Sequence, residues 1–306
     1  RRLIFKTLIE DQDAINGLLN IDDITPRLVP QCKEVGLFPE NSSADTRKRT
    51  VQTWLMQELV ALDRQLSLEG VGLVKFALQR PSNWNPPVIL KEPPWNLDDV
   101  EIWDLFSLLL ESLRQQGCIH FPDLVDPGSD DFAPRNFEFY VNGADPDPKK
   151  HVFSWIPKRG SNRRLDLLMK ILREKSPHLS NPEVRELAIV ALKGIWKILT
   201  EDPSWKHHLH SKTVNLPYQL NYQVWFLTPL LSHEQNKIYQ CSKCRNLSAY
   251  QIAGICPTFS CDGKLLEVDQ TSTIWKQNHY RQLYQNLLPV PLSAEEHTAQ
   301  WTQDSA

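Results

Sequence analysis

Nowhere in the 306 residues do about eighteen apolar residues run together, so the sequence offers no membrane-spanning helix. The short signatures of common catalytic sites are equally absent. There is no GxxxxGK[ST] phosphate loop, no D-E-x-[HD] box, no G-x-S-x-G elbow and no H-E-x-x-H metal helix. A lone G-x-G at Gly70 and Gly72 lacks the rest of a dinucleotide fingerprint and reads as a turn into a strand. Glu295 and Glu296 form an adjacent carboxylate pair, but neighbours on a helix diverge by about 100° and do not converge on one substrate atom. No catalytic residue is therefore assigned. Cysteine is scarce, with six in the chain, and four of those six fall in one short stretch.

Those four are Cys241, Cys244, Cys256 and Cys261, spaced C-x2-C-x11-C-x4-C. A C-x2-C turn lets two thiolates converge on one ion, and eleven residues suffice for a short hairpin that returns to it. The spacing points to a tetrahedral four-thiolate site, the closed geometry of structural zinc (Zn2+). Gly254 and Gly263 supply backbone freedom beside the two knuckles, and Pro257 stiffens the second. Tyr250, Ile252, Leu265, Leu266 and Val268 are apolar enough to form short strands around the site, giving a small zinc-ribbon module over 236–270. An iron–sulfur cluster also uses four cysteines, with different usual spacings. Cys32 and Cys118 are scattered and no secretory signal is read, so a disulfide framework is not expected.

Hydrophobic content of 41% and charged content of 23% suit a soluble globular protein, and the length suggests about two domains. The net charge of −3 hides an uneven distribution. Thirteen acidic residues stand against two basic ones over 92–147, whereas twelve basic stand against six acidic over 155–212. The second block has the balance that phosphate contacts require.

In chain order, 1–90 reads as a helical segment with one strand. Asn41 to Asp45 offers caps for a helix running to about Arg64, and 70–76 turns into the strand. The segment 91–156 reads as α+β with an acidic loop. Asn96 is its expected helix cap; Ile102, Leu105, Phe106, Leu109, Leu110 and Leu113 form the buried stripe, and Gly117 sits at the stop. Cys118 to Phe121 reads as a buried strand, and 137–141 with 151–156 as a strand pair. The segment 157–235 holds a helix over 165–175, another from Asn181-Pro182-Glu183, and an alternating strand over 218–227. Two helices followed by a β-ribbon is the order of a winged helix; a helical spacer with a solvated basic face is the other reading. Lys158, Arg159, Arg163, Arg164, Lys206 and Lys212 lie where nucleic-acid phosphates would be met. His207, His208 and His210 lack a fourth ligand and read as exposed loop histidines. The fold class expected is mixed α+β, helix-rich, with a winged-helix-like segment and a zinc ribbon.

The cysteine module is followed by Asn278-His279-Tyr280-Arg281, Leu288-Pro289-Val290-Pro291 and Glu295-Glu296-His297-Thr298-Ala299-Gln300. With Ile156-Pro157-Lys158-Arg159 and Leu199-Thr200-Glu201-Asp202 upstream, this order resembles the inter-lobe region of large bacterial DEAD/DEAH-box superfamily-two helicases, of antiphage-defence or DNA-repair type. The resemblance implies an internal fragment of an ATP-dependent DNA helicase or translocase, with 271–306 as linker and start of the second RecA-like lobe. It implies ATP and Mg2+ only in the parent's motor lobes, and DNA and those flanking lobes as partners in the cytoplasm, with no membrane. Of the functional residues, only the four cysteines carry over. Arg1-Arg2 at the start and a polar helical stretch at the end fit a piece of a longer polypeptide. The alternative is a free-standing zinc-containing interaction or DNA-binding protein with no motor.

Overall fold

Apolar residues three and four apart build the first helices, and from the second onward each is started by a polar side chain. α1 (Arg2–Glu10) buries Leu3, Ile4 and Leu8. α2 (Gln12–Ile15) is capped by Asp11, and α3 (Ile21–Glu34) by a reciprocal Asn20/Asp23 capping box, burying Ile21, Ile24, Leu28 and Cys32. α4 (Ala44–Leu59) starts at Ser43 and packs along α3. The chain then runs through β1 (Val74–Leu78), α5 (Val88–Lys91), α6 (Asp99–Arg114), β2 (Ile119–His120), β3 (Tyr140–Asn142) and β4 (Val152–Ser154). Next come α7 (Arg163–Lys175), α8 (Asn181–Glu201), β5 (Leu209–His210), β6 (Gln219–Asn221) and β7 (Trp225–Pro229). Last are β8 (Tyr239–Cys241), β9 (Leu247–Ser248), β10 (Leu265–Glu267), α9 (Thr273–Lys276) and α10 (His279–Asn286). The computed structural model describes residues 1–211, 217–231, 237–269 and 273–287. The molecule is a mixed α+β structure in which helix predominates, and no described helix is long and apolar enough to cross a membrane.

The 218–227 stretch is not one strand. A 3-10 turn at Tyr222–Val224 divides it, sending β6 to pair with β2 and β5 while β7 pairs antiparallel with β1, Val74 opposite Pro229. Segments far apart in sequence are thereby tied together at this turn. The pair β3/β4 is parallel, with Tyr140 opposite Val152. α7 packs on α8, and β5/β6 form an antiparallel pair after them. The free edge of β6 is taken by β2.

Helix ends account for the other departures from the sequence reading. α6 begins with an Asp98/Glu101 capping box, two residues after the expected Asn96, which instead adopts φ 47°. Its six-residue apolar stripe is buried as expected. α4 stops at Leu59, short of Arg64, because its last carbonyls are claimed from outside. Arg114 donates to Leu59 O, and Arg135 donates to Val60 O and Ala61 O at 3.2 and 2.9 Å. Most buried apolar residues from Leu3 to Tyr284 belong to one core, with Trp95, Trp155, Trp205 and Trp225 among its largest fully buried side chains. Leu230, Ile238 and Trp275 form a small cluster of their own, and Leu265 packs with the cysteines in another.

Candidate functional site

The four cysteines sit on a three-stranded sheet of order β10-β8-β9. Cys241 ends β8, and Ser242 to Cys244 turn back toward β9; Cys256 and Cys261 approach from the second knuckle. All four sulfurs lie within 4.8 Å of one another, with Cys241–Cys261 and Cys244–Cys256 at 3.6 Å, and none is in a disulfide. A zinc–sulfur bond of about 2.3 Å sets tetrahedral edges of about 3.8 Å, so the observed spread is that of a shell able to hold a metal ion.

Local chemistry builds this shell. The Lys243 amide donates to Cys241 Sγ at 3.4 Å, and Thr258 Oγ1 lies 3.5 Å from Cys244 Sγ. Asn246 Nδ2 donates to the same Thr258 oxygen at 2.9 Å, bracing one knuckle against the other. Burial opposes ionisation of Cys244, yet hydrogen bonds from Thr258 and the Asn246 amide outweigh it and bring the thiol down to about 6. Burial prevails at Cys256, which is pushed up to about 12; a bound cation would reverse that preference. Gly263 is required by contact: a Cβ there would stand 2.4 Å from Cys241 Sγ.

The module is bonded to the helical body. Lys170 Nζ donates to Thr258 O at 2.8 Å and Cys256 O at 3.4 Å, while Asp166 pairs with Lys170 and accepts from the Ser260 amide. Asp104 accepts from the Gln251 amide at 3.2 Å. Ile252 and Ile255 join the main core. Thus Tyr250 and Ile252 anchor the hairpin tip in the body and do not form strands, Leu265 packs behind the sulfurs, and Leu266 faces out.

The five described residues of the six basic ones do not form one surface. Arg164 is only 3% exposed. It donates to Ser154 O at 2.8 Å and to Ser112 Oγ at 3.1 Å, and lies over the Trp155 ring at 5.2 Å. Burial lowers its pKa to about 10. Its assignment to phosphate contact is corrected: the guanidinium joins β4 to α6 and α7 in the core, where no backbone phosphate reaches it. Lys158 is exposed but ion-paired with Asp145. Arg159 and Lys206 are exposed on separate loops. Arg163 is half-buried at the start of α7, and Lys212 lies outside the described residues, as do Glu295 and Glu296. Of the histidines, His208 is buried, with Nε2 2.7 Å from Gln79 O, whereas the His210 ring lies tilted against His120, centroids 4.1 Å apart. The histidine rings therefore diverge, and the described residues offer no second metal cluster.

Thr258, Asn246, Lys170 and Asp166 escaped the sequence reading. Thr258 stands two residues after Cys256 inside the knuckle, a signal that was available; the docking pair becomes visible only once α7 lies beside the module. The chain matches no family model, no curated protein and no solved structure.

Proposed function

We propose that Cys241, Cys244, Cys256 and Cys261 hold one structural zinc ion in a zinc-ribbon-like module of a DNA-contacting protein, the inter-lobe region of a superfamily-two helicase or translocase. The observation that carries the zinc reading is the convergence of four undisulfided sulfurs within 4.8 Å. A four-sulfur shell leaves no open position for water or substrate, so the ion's role is to clamp two knuckles. What supports the motor setting is the sequence resemblance that runs through the cysteine module to Gln300. The winged-helix-like reading of α7, α8 and the β5/β6 pair is supported by their order and packing. ATP and Mg2+ belong to the lobes of the parent, where a phosphate loop, an acidic box and an arginine would meet. The second reading is a zinc-containing interaction or DNA-binding protein with no motor. It is favoured by the core that joins Leu3 to Tyr284, since a self-standing unit needs the same continuity.

Nucleic-acid-stimulated ATPase activity of this chain, measured beside that of the intact parent polypeptide, separates the two. The helicase reading expects turnover by the parent and none by the chain alone. Turnover by the chain itself would refute the inter-lobe assignment, and inactivity of both would favour the second reading.

A further inference from the structure

Between the cysteine module and the helical body runs a cleft whose two lobes have volumes of about 240 and 210 Å³. Arg64, Glu111, Gln115, Leu247 and Ser248 line both lobes. Arg245 stands at one end; Arg163, Pro257, Thr258 and Phe259 form the other. Arg64 and Arg163 lie about a hundred residues apart in sequence, one in the turn after α4 and the other the first residue of α7. Both are half-buried, and among the described residues neither side chain forms an ion pair or hydrogen bond. Glu69 and Glu111, the carboxylates of the cleft, are engaged by Arg114 at 2.7 and 3.2 Å. Burial, then the like charge of Arg64, lowers the pKa of Arg163. The like charges of Arg64 and Arg163 repel across the cleft, while Glu111, which Arg114 also engages, attracts Arg64. Phe259, at the tip of the second knuckle, is 43% exposed and offers a flat apolar face beside them.

We propose that this cleft is a track for single-stranded nucleic acid, with a backbone phosphate between Arg64 and Arg163 and a base on Phe259. Guanidinium forks match phosphate oxygens, and an aromatic face takes any base, so binding is tolerant of sequence. The aromatic face beside the cations favours nucleic acid over an acidic peptide, which offers carboxylates but no bases to stack. Lobes of about 240 and 210 Å³ are too small for a duplex, whose major groove alone is about 12 Å wide. The proposal deepens the nucleic-acid part of the function proposed above and rests on that part. It makes the zinc module one wall of the track, so that knuckle geometry and strand binding are linked.

The test uses the full zinc-loaded chain and a fluorescent twelve-nucleotide single strand, with inorganic phosphate and a glutamate-rich peptide as parallel probes. The double variant Arg64→Gln/Arg163→Gln is expected to weaken strand binding about tenfold or more and to flatten its salt dependence by about one phosphate contact. Phe259→Ala is expected to weaken it about tenfold at any salt concentration, and Lys193→Gln, on an exposed face of α8, not at all. Circular dichroism and zinc content check that each variant is folded. Undiminished strand binding by both cleft variants would overturn the track while leaving nucleic-acid contact elsewhere on the chain standing. Arginine-dependent capture of the acidic peptide or of inorganic phosphate, without the strand, would replace the ligand and overturn the proposal as stated. A folded chain that binds no strand would remove the track and the DNA contact together, whereas an inactive parent ATPase touches only the motor reading.

Discussion

At the scale of single residues, the cysteine site makes the firmest demands. Cys244→Ser is expected to abolish the one zinc per chain found by elemental analysis and to expose the amides of 239–267 to hydrogen exchange. Metal-binding energy at such a site is also local folding energy. Stoichiometric iron in the wild type would contradict zinc. Thr258→Val removes the hydroxyl shared by Cys244 and Asn246 and should lower zinc affinity about 10- to 100-fold in a chelator competition. Asp104 makes a prediction about pH. Its burial, only partly offset by the Gln251 amide, raises its pKa from the ordinary 3.8 to about 6. A raised carboxyl pKa favours folding while the group is protonated: the contribution is complete below pH 3.8 and is lost as pH rises through 6. Asp104→Asn, which still accepts from Gln251, should therefore be more stable than wild type at pH 7.5 and equal to it near pH 4 in urea titrations. A variant less stable at pH 7.5 would show that attraction to Lys75 outweighs burial.

At the scale of elements, arginines decide where helices end and how they are joined. Arg114 is fully buried between the Phe76 and Trp225 rings at 4.8 and 5.2 Å, bonds Glu69 and Glu111, and closes the end of α4. Arg114→Met should cost about 3–5 kcal/mol in equilibrium unfolding, because two carboxylates lose their buried partner. Arg164→Ala leaves the Ser154 and Trp155 carbonyls, the Ser112 hydroxyl and the Trp155 ring without the guanidinium and should likewise destabilise the fold by about 2–4 kcal/mol. Nucleic-acid affinity of the molecules that remain folded should be unaltered. A drop in affinity at unchanged stability would restore Arg164 to the binding surface. The interior of these elements was legible in the sequence: the α6 stripe from Ile102 to Leu113 and most of the α8 face are buried as their 3.6-residue spacing requires. The end of α4 was not legible, since its caps come from Arg114 and Arg135, more than fifty residues away.

At the scale of the whole molecule, β7 joins the N-terminal helices to the middle of the chain. It pairs with β1, receives α1 and α2, and its Leu227 amide donates to Leu19 O at 2.9 Å. A proline at the fully buried Leu227 would remove that bond and should abolish cooperative folding of the N-terminal helices along with the sheet. If the helices kept an independent thermal transition, the continuous core would be two units.

The sequence by itself determined the four metal-ligand candidates, because a C-x2-C turn and a short hairpin bring thiols together through local geometry alone. It likewise determined the buried faces of the long helices, through their period. Tertiary structure decided the rest. It divided 218–227 at Tyr222, because β6 and β7 answer to different partners. It drew Arg164 into the core while leaving Arg163, its neighbour, beside Arg64 in the cleft. Successive helix residues point about 100° apart, so adjacent arginines can be identical as letters and opposite in role, and only the packing around α7 tells them apart.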